Sequence, residues 1–402
     1  MALVPLGDAT YQFMSPGLCL MGPGCSKEAG PRIKALGATH VLLVTDKVLA
    51  KLGMVDQVKG QLEAAGLAVT IFDGVEPDPS DKNVHAGAEI YQNGGCNALV
   101  SLGGGSAHDC AKGIGVVVTS GGNIRDYAGL DRLQKRIPPL AAINTTAGTG
   151  SDASRIAVIT NTGSHTKIAI VDARCIPAIA INDPRLMAGM PPMLTAATGI
   201  DALTHAVESY VSIASTPLSD ACGIQAIKLI SRWLRPAVAN GTNMEARDKM
   251  AYAQYLAGLA FANGRVGCTH AIAHQLGSRY HIAHGVACGV MLPFVCEYNL
   301  ITAPERFAEI AAAMGERLEG LSVMEAAAKA PAAIRRLNQD VGIPANIAEL
   351  GVKEADVEMM ANNAMNDVTR LTNPRQPITV EAIALIMRTA MEAGLAKAAG
   401  GW

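Results

Sequence analysis

The sequence predicts two domains: an N-terminal α/β domain built around a parallel sheet, and a C-terminal domain made only of helices. A chain of 402 residues is too long for one ordinary hydrophobic core. Short apolar segments that end at turn residues run through the first half, whereas long stretches rich in Ala, Leu and Met fill the second. The turn-prone pair Asp183-Pro184 follows the last strand-like segment. The predicted domains therefore span residues 1–184 and 185–402.

Each predicted strand of the first domain is a short apolar segment bounded by turn residues. These segments are residues 40–45, 68–72, 98–102, 140–143 and 178–181. Helical patterns at residues 48–65 and 82–93 separate several of them. Strands that alternate with helices are typical of a parallel sheet with crossover helices.

The second domain begins at about residue 191, where strand patterns nearly vanish. Apolar residues then recur at helical spacing over long stretches, which predicts an all-helical domain. The predicted helices cover residues 194–211, 217–239, 244–262, 304–314, 323–341 and 380–399.

Composition favours a globular protein that acts on small molecules. Half of the residues are apolar and 17% are charged, which excludes a disordered chain. A net charge of -2 offers no basic field for nucleic acid or an anionic membrane. The nine cysteines form no CxxC pair, which favours a reducing cytoplasm. We expect no signal peptide at the N-terminus, and no apolar run reaches the roughly 18 residues that span a bilayer.

A glycine-rich turn at residues 101–109 follows a predicted strand and opens a helical pattern. Gly103, Gly104 and Gly105 lack side-chain bulk, so backbone N–H groups there can approach a pyrophosphate. Ser106 adds a hydroxyl donor. The alternative is a tight turn that merely needs positive φ angles, since the segment matches neither GxGxxG nor a P-loop.

Two further features suit a nucleotide site. The polar segment at residues 144–151 follows a predicted strand, where hydroxyls and glycines suit the nucleotide crevice of an open α/β sheet. An ordinary Thr/Gly loop is the alternative. Asp46 ends an early strand, where a carboxylate can bind ribose hydroxyls and repel a 2′-phosphate. The alternative for Asp46 is a helix N-cap.

Five of the nine histidines cluster in the otherwise apolar helical half: His205, His270, His274, His281 and His284. Asp201 and His205 are four positions apart, so both side chains leave one face of a helix, and His270 and His274 repeat this spacing. One carboxylate with several imidazoles suits Fe²⁺, Zn²⁺, Co²⁺ or Ni²⁺. Spacing leaves open which three histidines bind, and satisfied polar groups on helices are the alternative. The other histidines lack such a partner and are interpreted as structural: His40, His85, His108 and His165.

Seven segments along the chain form a recognisable set of motifs: GGGSAHDCAKG, TTAGTGS, KIAIVD, ATGIDALTHAVESY, THAIAHQLG, HGVACGVMLP and DVTRLTNPR. In this order, and over nearly the whole chain, they resemble the iron-containing alcohol dehydrogenases. The resemblance implies a Rossmann-like NAD-binding domain followed by a helical metal-binding domain, an architecture shared with dehydroquinate synthase. It also implies a homodimer or larger homo-oligomer.

The resemblance implies a role for each motif residue. Four residues align with the metal ligands: Asp201, His205, His270 and His284. His274 aligns with a non-ligand histidine beside the nicotinamide, and Asp46 with the residue that favours NAD over NADP. The other implied cofactor contacts are Gly103, Gly104, Gly105, Ser106, Thr145, Thr146, Thr149 and Lys167. The implied metal is Fe²⁺, with Zn²⁺, Co²⁺ or Ni²⁺ as alternatives.

The candidate substrate pocket contains Phe261 and Arg265. Arg265 stands where the family has a typically small residue, and Arg279 and His281 stand where it tends to have an aromatic residue and an asparagine. These three side chains motivate an alternative substrate, a small anionic hydroxyalkyl compound such as a hydroxy acid or a sulfonate.

The resemblance predicts an NAD-dependent, metal-dependent alcohol dehydrogenase that interconverts short-chain primary alcohols or diols and aldehydes. The metal would act as a Lewis acid on the substrate oxygen. His274 would relay the proton outward. A nucleotide-binding regulatory protein without turnover is the alternative from another class, since fold alone does not fix function. The intact ligand set argues against that alternative.

Overall fold

The computed structural model describes residues 10–164 and 166–393. These residues form two compact units. One contains residues 14–189, and the other contains residues 10–13 together with residues 190–393. The described strands all lie in the first unit, and the second is helical. The predicted fold classes of the two halves are therefore confirmed.

A six-stranded parallel sheet forms the centre of the α/β unit. The strands in chain order are β1 (Leu18–Met21), β2 (His40–Val44), β3 (Ala68–Phe72), β4 (Ala98–Gly103), β5 (Gly129–Leu130), β6 (Leu140–Asn144), β7 (Ile156–Asn161), β8 (Thr166–Val171) and β9 (Ile179–Asn182). The large sheet has the spatial order β1–β9–β6–β4–β2–β3. The predicted strands at residues 40–45, 68–72, 98–102, 140–143 and 178–181 correspond to β2, β3, β4, β6 and β9.

Helices cover both faces of this sheet. They are α1 (Ala29–Ala35), α2 (Lys47–Lys51), α3 (Met54–Ala64), α4 (Asp81–Asn93), α5 (Gly105–Ser120) and α6 (Pro184–Met187). Within β2, Val41 and Leu43 pack in one buried cluster with Val58 of α3. Leu42 packs in a second cluster with Ile114 of α5. Alternate residues of the strand thus face two apolar cores, which is why the strand is a continuous apolar run.

Parts of this unit differ from the sequence prediction. The single helix predicted at residues 48–65 is two helices, α2 and α3, because Gly53 between them adopts a left-handed φ of 75°. Strand β1 and the small sheet β5–β8–β7 are not predicted from the sequence. Strands β7 and β8 pair antiparallel and are largely half-buried, so they lack the fully apolar run that marks the central strands.

The helical unit contains nine described α-helices. They are α7 (Pro192–Val211), α8 (Pro217–Ala239), α9 (Met244–Gly264), α10 (Cys268–Tyr280), α11 (His284–Asn299), α12 (Pro304–Ala313), α13 (Val323–Asp340), α14 (Val357–Ala364) and α15 (Val380–Glu392). Thr216 caps α8 and is followed by Pro217, and Ser322 forms a capping box with Glu325 at the start of α13. The helix predicted at residues 380–399 begins as expected, and its residues 394–399 lie outside the described part of the chain.

One helical segment of this unit, His284–Thr302, is long and apolar enough to cross a membrane by length and composition alone. The core helix of a soluble protein passes the same test, and 61% of this segment is buried inside the protein. A single mostly buried segment of this kind is weak evidence for a membrane.

Helices α11 and α7 approach each other closely at Gly285, which gives a test of their packing. A Cβ atom added at Gly285 would lie 2.1 Å from the backbone oxygen of Ala197. Because a backbone carbonyl has no rotamer by which to move away, we expect Gly285→Ala to lower the free energy of unfolding by about 3 kcal/mol. Urea denaturation followed by circular dichroism measures this change.

The matched control is Gly60→Ala in the exposed interior of α3, where an added Cβ meets nothing within 4 Å. Alanine is the better helix former, so this variant should gain about 1 kcal/mol. If Gly285→Ala were as stable as Gly60→Ala, this result would contradict the close contact between α7 and α11 at Gly285.

Candidate functional site

Helix α7 presents three ionisable side chains on one face. Asp201, His205 and Glu208 are separated by four and then three residues, so they follow one another along a single helical stripe. All three are buried. Helix α10 adds His270 and His274, and α11 begins at His284. A helical frame therefore carries every candidate metal ligand.

The candidate ligand atoms converge on the carboxylate of Asp201. The Nε2 atoms of His284, His205 and His270 lie 3.5, 3.9 and 4.0 Å from Asp201 Oδ1. Two ligand atoms that bind one ion at about 2.1 Å with a tetrahedral angle are roughly 3.4 Å apart. The four residues therefore surround a space of the size that one divalent ion needs.

The chemistry of these atoms also fits a cation. Among the described residues, Asp201 Oδ1 and His270 Nε2 are buried and have no hydrogen-bond partner. Burial raises the pKa of Asp201 to about 7. A buried carboxylate oxygen without a partner costs free energy that a bound cation would offset. One carboxylate and three imidazoles suit Fe²⁺, Zn²⁺, Co²⁺ or Ni²⁺.

The fourth candidate imidazole, His274, has a carboxylate partner. Its Nδ1 lies 2.6 Å from Asp367 Oδ2. Its ring stacks on that of His284 with the centroids 5.4 Å apart, and it meets the ring of His270 edge-on. The His274 side chain is 32% exposed, whereas that of His270 is 5% exposed. His274 thus adjoins the ligand cluster and also reaches the surface of the helical unit.

The two candidate pocket residues lie in α9 and at its end. The ring of Phe261 stacks on that of His205 with the centroids 4.3 Å apart. Arg265 ends α9, is exposed and has a left-handed φ of 65°. The structure therefore places Phe261 directly against a candidate ligand.

The remaining polar candidates lie at the end of α10. Arg279 pairs with Asp356 at 3.3 Å and lies over the ring of Tyr280. His281 is exposed and ends the helix with a left-handed φ of 56°. Because the Arg279 guanidinium already has a carboxylate partner, it is less available to an anionic substrate.

Except for Lys167, which lies in the small sheet, the cofactor candidates of the α/β unit follow or end strands at the carboxyl edge of the large sheet. Strand β4 lies between β2 and β6, and Gly103 is opposite Asn144 in the β4–β6 register. The chain leaves β2 toward β3 on one side of the sheet and leaves β4 toward β6 on the other, so the direction of the connections changes between β2 and β4. Open α/β sheets bind ligands at such a switch point, at the carboxyl ends of the strands. Gly103 is the last residue of β4, and Asp46 follows β2, the two strands that flank this point.

The glycine turn packs tightly against the second polar segment. A Cβ added at Gly104 or Gly105 would lie 3.0 Å from the side chain of Thr146 or Thr149, respectively. No side chain caps the N-terminus of α5, which Gly104 precedes. The two polar segments are thus in contact, with backbone N–H groups beside threonine hydroxyls, which fits a pyrophosphate.

Asp46 and Lys167 each have a partner in this unit. Asp46 caps α2, since its Oδ1 accepts hydrogen bonds from the N–H groups of Val48 and Leu49 at 2.8 and 3.0 Å. Lys167 lies in β8 and pairs with Asp78 at 2.6 Å. The N-cap alternative for Asp46 is therefore realised, and it leaves the second carboxylate oxygen for other donors.

The remaining histidines agree with a structural interpretation where they are described. His108 is fully buried and bonds Ser101 at 2.8 Å, and its burial and the charge of Lys112 lower its pKa to about 3. His40 bonds Thr70 at 2.9 Å. Nε2 of His85 accepts from a backbone N–H. His165 lies outside the described residues.

Comparison with known proteins identifies the family. The family model described as iron-containing alcohol dehydrogenase matches residues 16–184. The model for the C-terminal part of the Fe-containing alcohol dehydrogenase family matches residues 195–391. The 1,3-propanediol dehydrogenase of Klebsiella pneumoniae is 50% identical over 382 residues, which cover 94% of this chain and 98% of that protein. This chain belongs to the iron-containing alcohol dehydrogenases.

Two further relatives agree with this assignment. The NAD-dependent methanol dehydrogenase of Bacillus methanolicus is 48% identical over 379 residues, covering 94% of this chain and 99% of that protein. A crystal structure of 1,3-propanediol oxidoreductase matches with a TM-score of 0.94 at 49% identity, covering 95% of this chain and 100% of that one. The resemblance stated from the motifs is confirmed, and so is the expectation that the chain is an oxidoreductase of this family. The roles of individual site residues stay predictions.

Cys288 lies beside the candidate metal ligands and was not predicted from the sequence. In this iron-containing alcohol dehydrogenase, ligand atoms of Asp201, His270, His284 and Cys288 all lie within 4.8 Å of one another. The thiol is 3.6 Å from His284 Nε2. The missed signal was its spacing of four residues from His284 in α11, which repeats that of the other two pairs.

The carboxylates that contact Nδ1 of His270 and His274, those of Glu208 and Asp367, were not predicted from the sequence either. Glu208 Oε2 lies 2.6 Å from Nδ1 of His270. Its position seven residues after Asp201 in α7 was an available signal, since that spacing returns to the same helix face. Asp367 is 93 residues from His274 in the chain, so no local pattern connects the two.

A buried lysine connects the glycine turn's helix to the second polar segment. Lys112 of α5 is fully buried, and its Nζ donates to Ser151 O, Ser151 Oγ and Ile156 O at 2.6, 2.9 and 2.7 Å. Ser151 Oγ in turn donates to Asp109 at 2.6 Å. Burial lowers the pKa of Lys112, and the nearby charge of Asp109 opposes this. The network fixes the end of the polar segment against α5.

We expect Lys112→Met to destabilise the protein by about 3 kcal/mol, because it leaves two backbone carbonyls and a buried carboxylate without their cation. Lys82→Met, an exposed position in α4, is the matched control and should change stability by less than about 0.5 kcal/mol. Urea denaturation of both variants measures the difference. Equal unfolding midpoints would mean that the buried ammonium does not stabilise this loop.

Proposed function

We propose that this chain oxidises short-chain primary alcohols or diols with NAD⁺ and reduces the corresponding aldehydes in the reverse direction. The observation that carries the proposal is the convergence of three histidine Nε2 atoms within 4.0 Å of Asp201 Oδ1. The substrates that appear in the names of two relatives, 1,3-propanediol and methanol, support the substrate class.

In this proposal four residues hold one divalent cation, Fe²⁺ in the first instance: Asp201, His205, His270 and His284. The distances among their ligand atoms and the buried oxygen of Asp201 support this set. A cation bound there supplies Lewis acidity toward the substrate oxygen. Phe261, stacked on His205, forms an apolar wall beside the cluster that suits a short alkyl chain.

His274 moves the proton in this proposal. It adjoins His284 and His270, and part of its side chain is exposed. The hydroxyl proton of the alcohol passes to His274 and from there to water, a role suited to an imidazole. Asp367 orients the ring through Nδ1, which leaves Nε2 for proton transfer.

NAD is held by the carboxyl edge of the sheet in this proposal. The residues that would hold its pyrophosphate are at the N-terminus of α5: Gly103, Gly104, Gly105 and Ser106. Thr145, Thr146, Thr149 and Lys167 supply further polar contacts. NAD bound there would supply the acceptor for the hydride that leaves the carbon bearing the hydroxyl. The second carboxylate oxygen of Asp46 accepts hydrogen bonds from the ribose hydroxyls and disfavours a 2′-phosphate.

We also propose that the protein is a cytoplasmic homo-oligomer. All cysteines in the described residues are free, which fits a reducing compartment. The homo-oligomer is supported by the family resemblance alone, and sedimentation of the purified protein measures it.

Removing the metal should abolish alcohol oxidation, because an alcohol with a pKa of about 16 does not ionise near neutral pH without a Lewis acid. We expect chelation to stop NADH formation from 1,3-propanediol, and Fe²⁺, Zn²⁺, Co²⁺ and Ni²⁺ added singly to restore it to different extents. His270→Ala should lower kcat at least about 100-fold with any metal, and His40→Ala, outside the cluster, is the matched control.

Full activity in the metal-free protein would contradict the mechanism.

The same assay with propan-1-ol and its carboxylated analogue tests the substrate class. A higher kcat/KM for the carboxylated compound that falls in Arg265→Ala would favour the anionic alternative.

Cofactor preference tests Asp46. Asp46→Asn keeps an acceptor for the helix cap but removes the charge that faces a 2′-phosphate. We expect the ratio of kcat/KM for NAD over NADP to fall about tenfold or more, which corresponds to about 1.4 kcal/mol of lost repulsion. Asp56→Asn, exposed on α3, is the control. An unchanged ratio in Asp46→Asn would refute the role of this carboxylate.

A further inference from the structure

We propose that Glu208 is a positioning residue of the metal centre: it holds the ring of His270 and fixes the proton on Nδ1, so that Nε2 faces the cluster as a ligand atom. This inference rests on the proposed function, because it takes His270 as a metal ligand. Glu208 itself is not one of the converging ligand atoms but lies behind one of them.

Three N–H groups hold the Glu208 carboxylate. Oε2 lies 2.6 Å from Nδ1 of His270 and accepts from Gly267 N at 3.0 Å. Oε1 accepts from Thr269 N at 2.6 Å. The side chain is only 5% exposed, so water does not compete for these hydrogen bonds. An anionic acceptor with three short or medium hydrogen bonds in a dry site has a well-defined orientation.

The carboxylate decides which nitrogen of His270 carries the proton. An ionised carboxylate only accepts hydrogen bonds, so Nδ1 must be the donor. In a neutral imidazole the lone pair is then on Nε2, the atom that lies 4.0 Å from Asp201 Oδ1 and has no hydrogen-bond partner among the described residues. A carboxylate behind a ligating histidine fixes the tautomer and raises the basicity of the ligand nitrogen.

Glu208 also aligns the two helices that carry ligands. It belongs to α7, as do Asp201 and His205, while Gly267 and Thr269 flank the first residue of α10. A Cβ atom added at Gly267 would lie 3.0 Å from Glu208 Oε1, so the start of α10 packs tightly on this carboxylate. The same group therefore sets both the position of α10 and the direction of the His270 ring.

The neighbouring pair of His274 and Asp367 provides an internal control. Asp367 Oδ2 lies 2.6 Å from Nδ1 of His274, the same contact that Glu208 makes with His270. Asp367 is likewise held locally, by Thr369 N and Oγ1 at 2.9 and 2.7 Å. Only His270 belongs to the proposed ligand set, so only Glu208 should affect metal affinity.

Glu208→Gln tests the proposal with little change in shape. A glutamine amide has one acceptor oxygen and one donor nitrogen, so it cannot accept from all three N–H groups. Either an N–H group loses its acceptor, or His270 moves its proton to Nε2 and loses the ligand lone pair. We expect the Co²⁺ affinity of the metal-stripped protein to fall about 10- to 100-fold, and the visible Co²⁺ spectrum to change.

The same measurement on Asp367→Asn should give the affinity and spectrum of the wild type. Co²⁺ is titrated into metal-stripped protein against a competing chelator, and the melting temperature of each metal-free variant is recorded. A merely structural role would lower the melting temperature of Glu208→Gln without changing its Co²⁺ affinity or spectrum, and that result overturns the proposal. Equal loss of affinity in both variants overturns it as well.

His270→Ala separates this proposal from the proposed function. If His270→Ala binds Co²⁺ as tightly as the wild type, the ligand set is wrong and the inference fails with it. If His270→Ala loses affinity and Glu208→Gln does not, only the inference fails. Nitrogen-15 NMR of the metal-free wild type, recorded at a pH where the His270 ring is neutral, gives a test that requires no folded Glu208 variant: a proton on Nδ1 of the neutral ring supports the proposal, and a proton on Nε2 overturns it.

Discussion

Burial of ionisable groups inside an apolar helix is the constraint on which the helical unit depends. Helix α7 carries Asp201 and Glu208, whose side chains are buried in the helical unit. A buried carboxylate without a partner costs folding free energy. The two carboxylates differ in the partners that compensate for their burial. Glu208 accepts three hydrogen bonds from His270 and the start of α10, whereas Asp201 keeps an oxygen toward three imidazole nitrogens. Asp201 therefore belongs to a group of ligand atoms that fits a metal ion.

The α/β unit depends on a different constraint, the close packing of backbone at the carboxyl edge of its large sheet. Parallel strands bring β2, β4 and β6 to one edge, where glycines leave space that Thr146 and Thr149 border. The fully buried Lys112 secures the second polar segment by donating to the carbonyl of Ser151 at its end and to that of Ile156 at the start of β7. Rigid support of this kind would keep the backbone N–H groups of the glycine turn available to the pyrophosphate of the proposed cofactor.

Much of the fold could be predicted because its elements are fully buried or strongly periodic. Strand β3 matches its predicted bounds, and α8 does too. Strands β7 and β8 were not predicted because they are only partly buried, so their sequence lacks a continuous apolar run. The break between α2 and α3 at Gly53 was not predicted, because the helical pattern continues on both sides of this one left-handed residue.

The sequence by itself determined the two fold classes, the helix faces that carry Asp201 with His205 and His270 with His274, and the family, since periodicity and motif order are properties of the chain. Tertiary structure decided which histidines accompany Asp201. The Nε2 atoms within 4.0 Å of Asp201 Oδ1 belong to His205, His270 and His284, while His274 bonds Asp367, 93 residues away. Spacing along one helix sets the face from which a side chain leaves, but its partner depends on which other helix packs there.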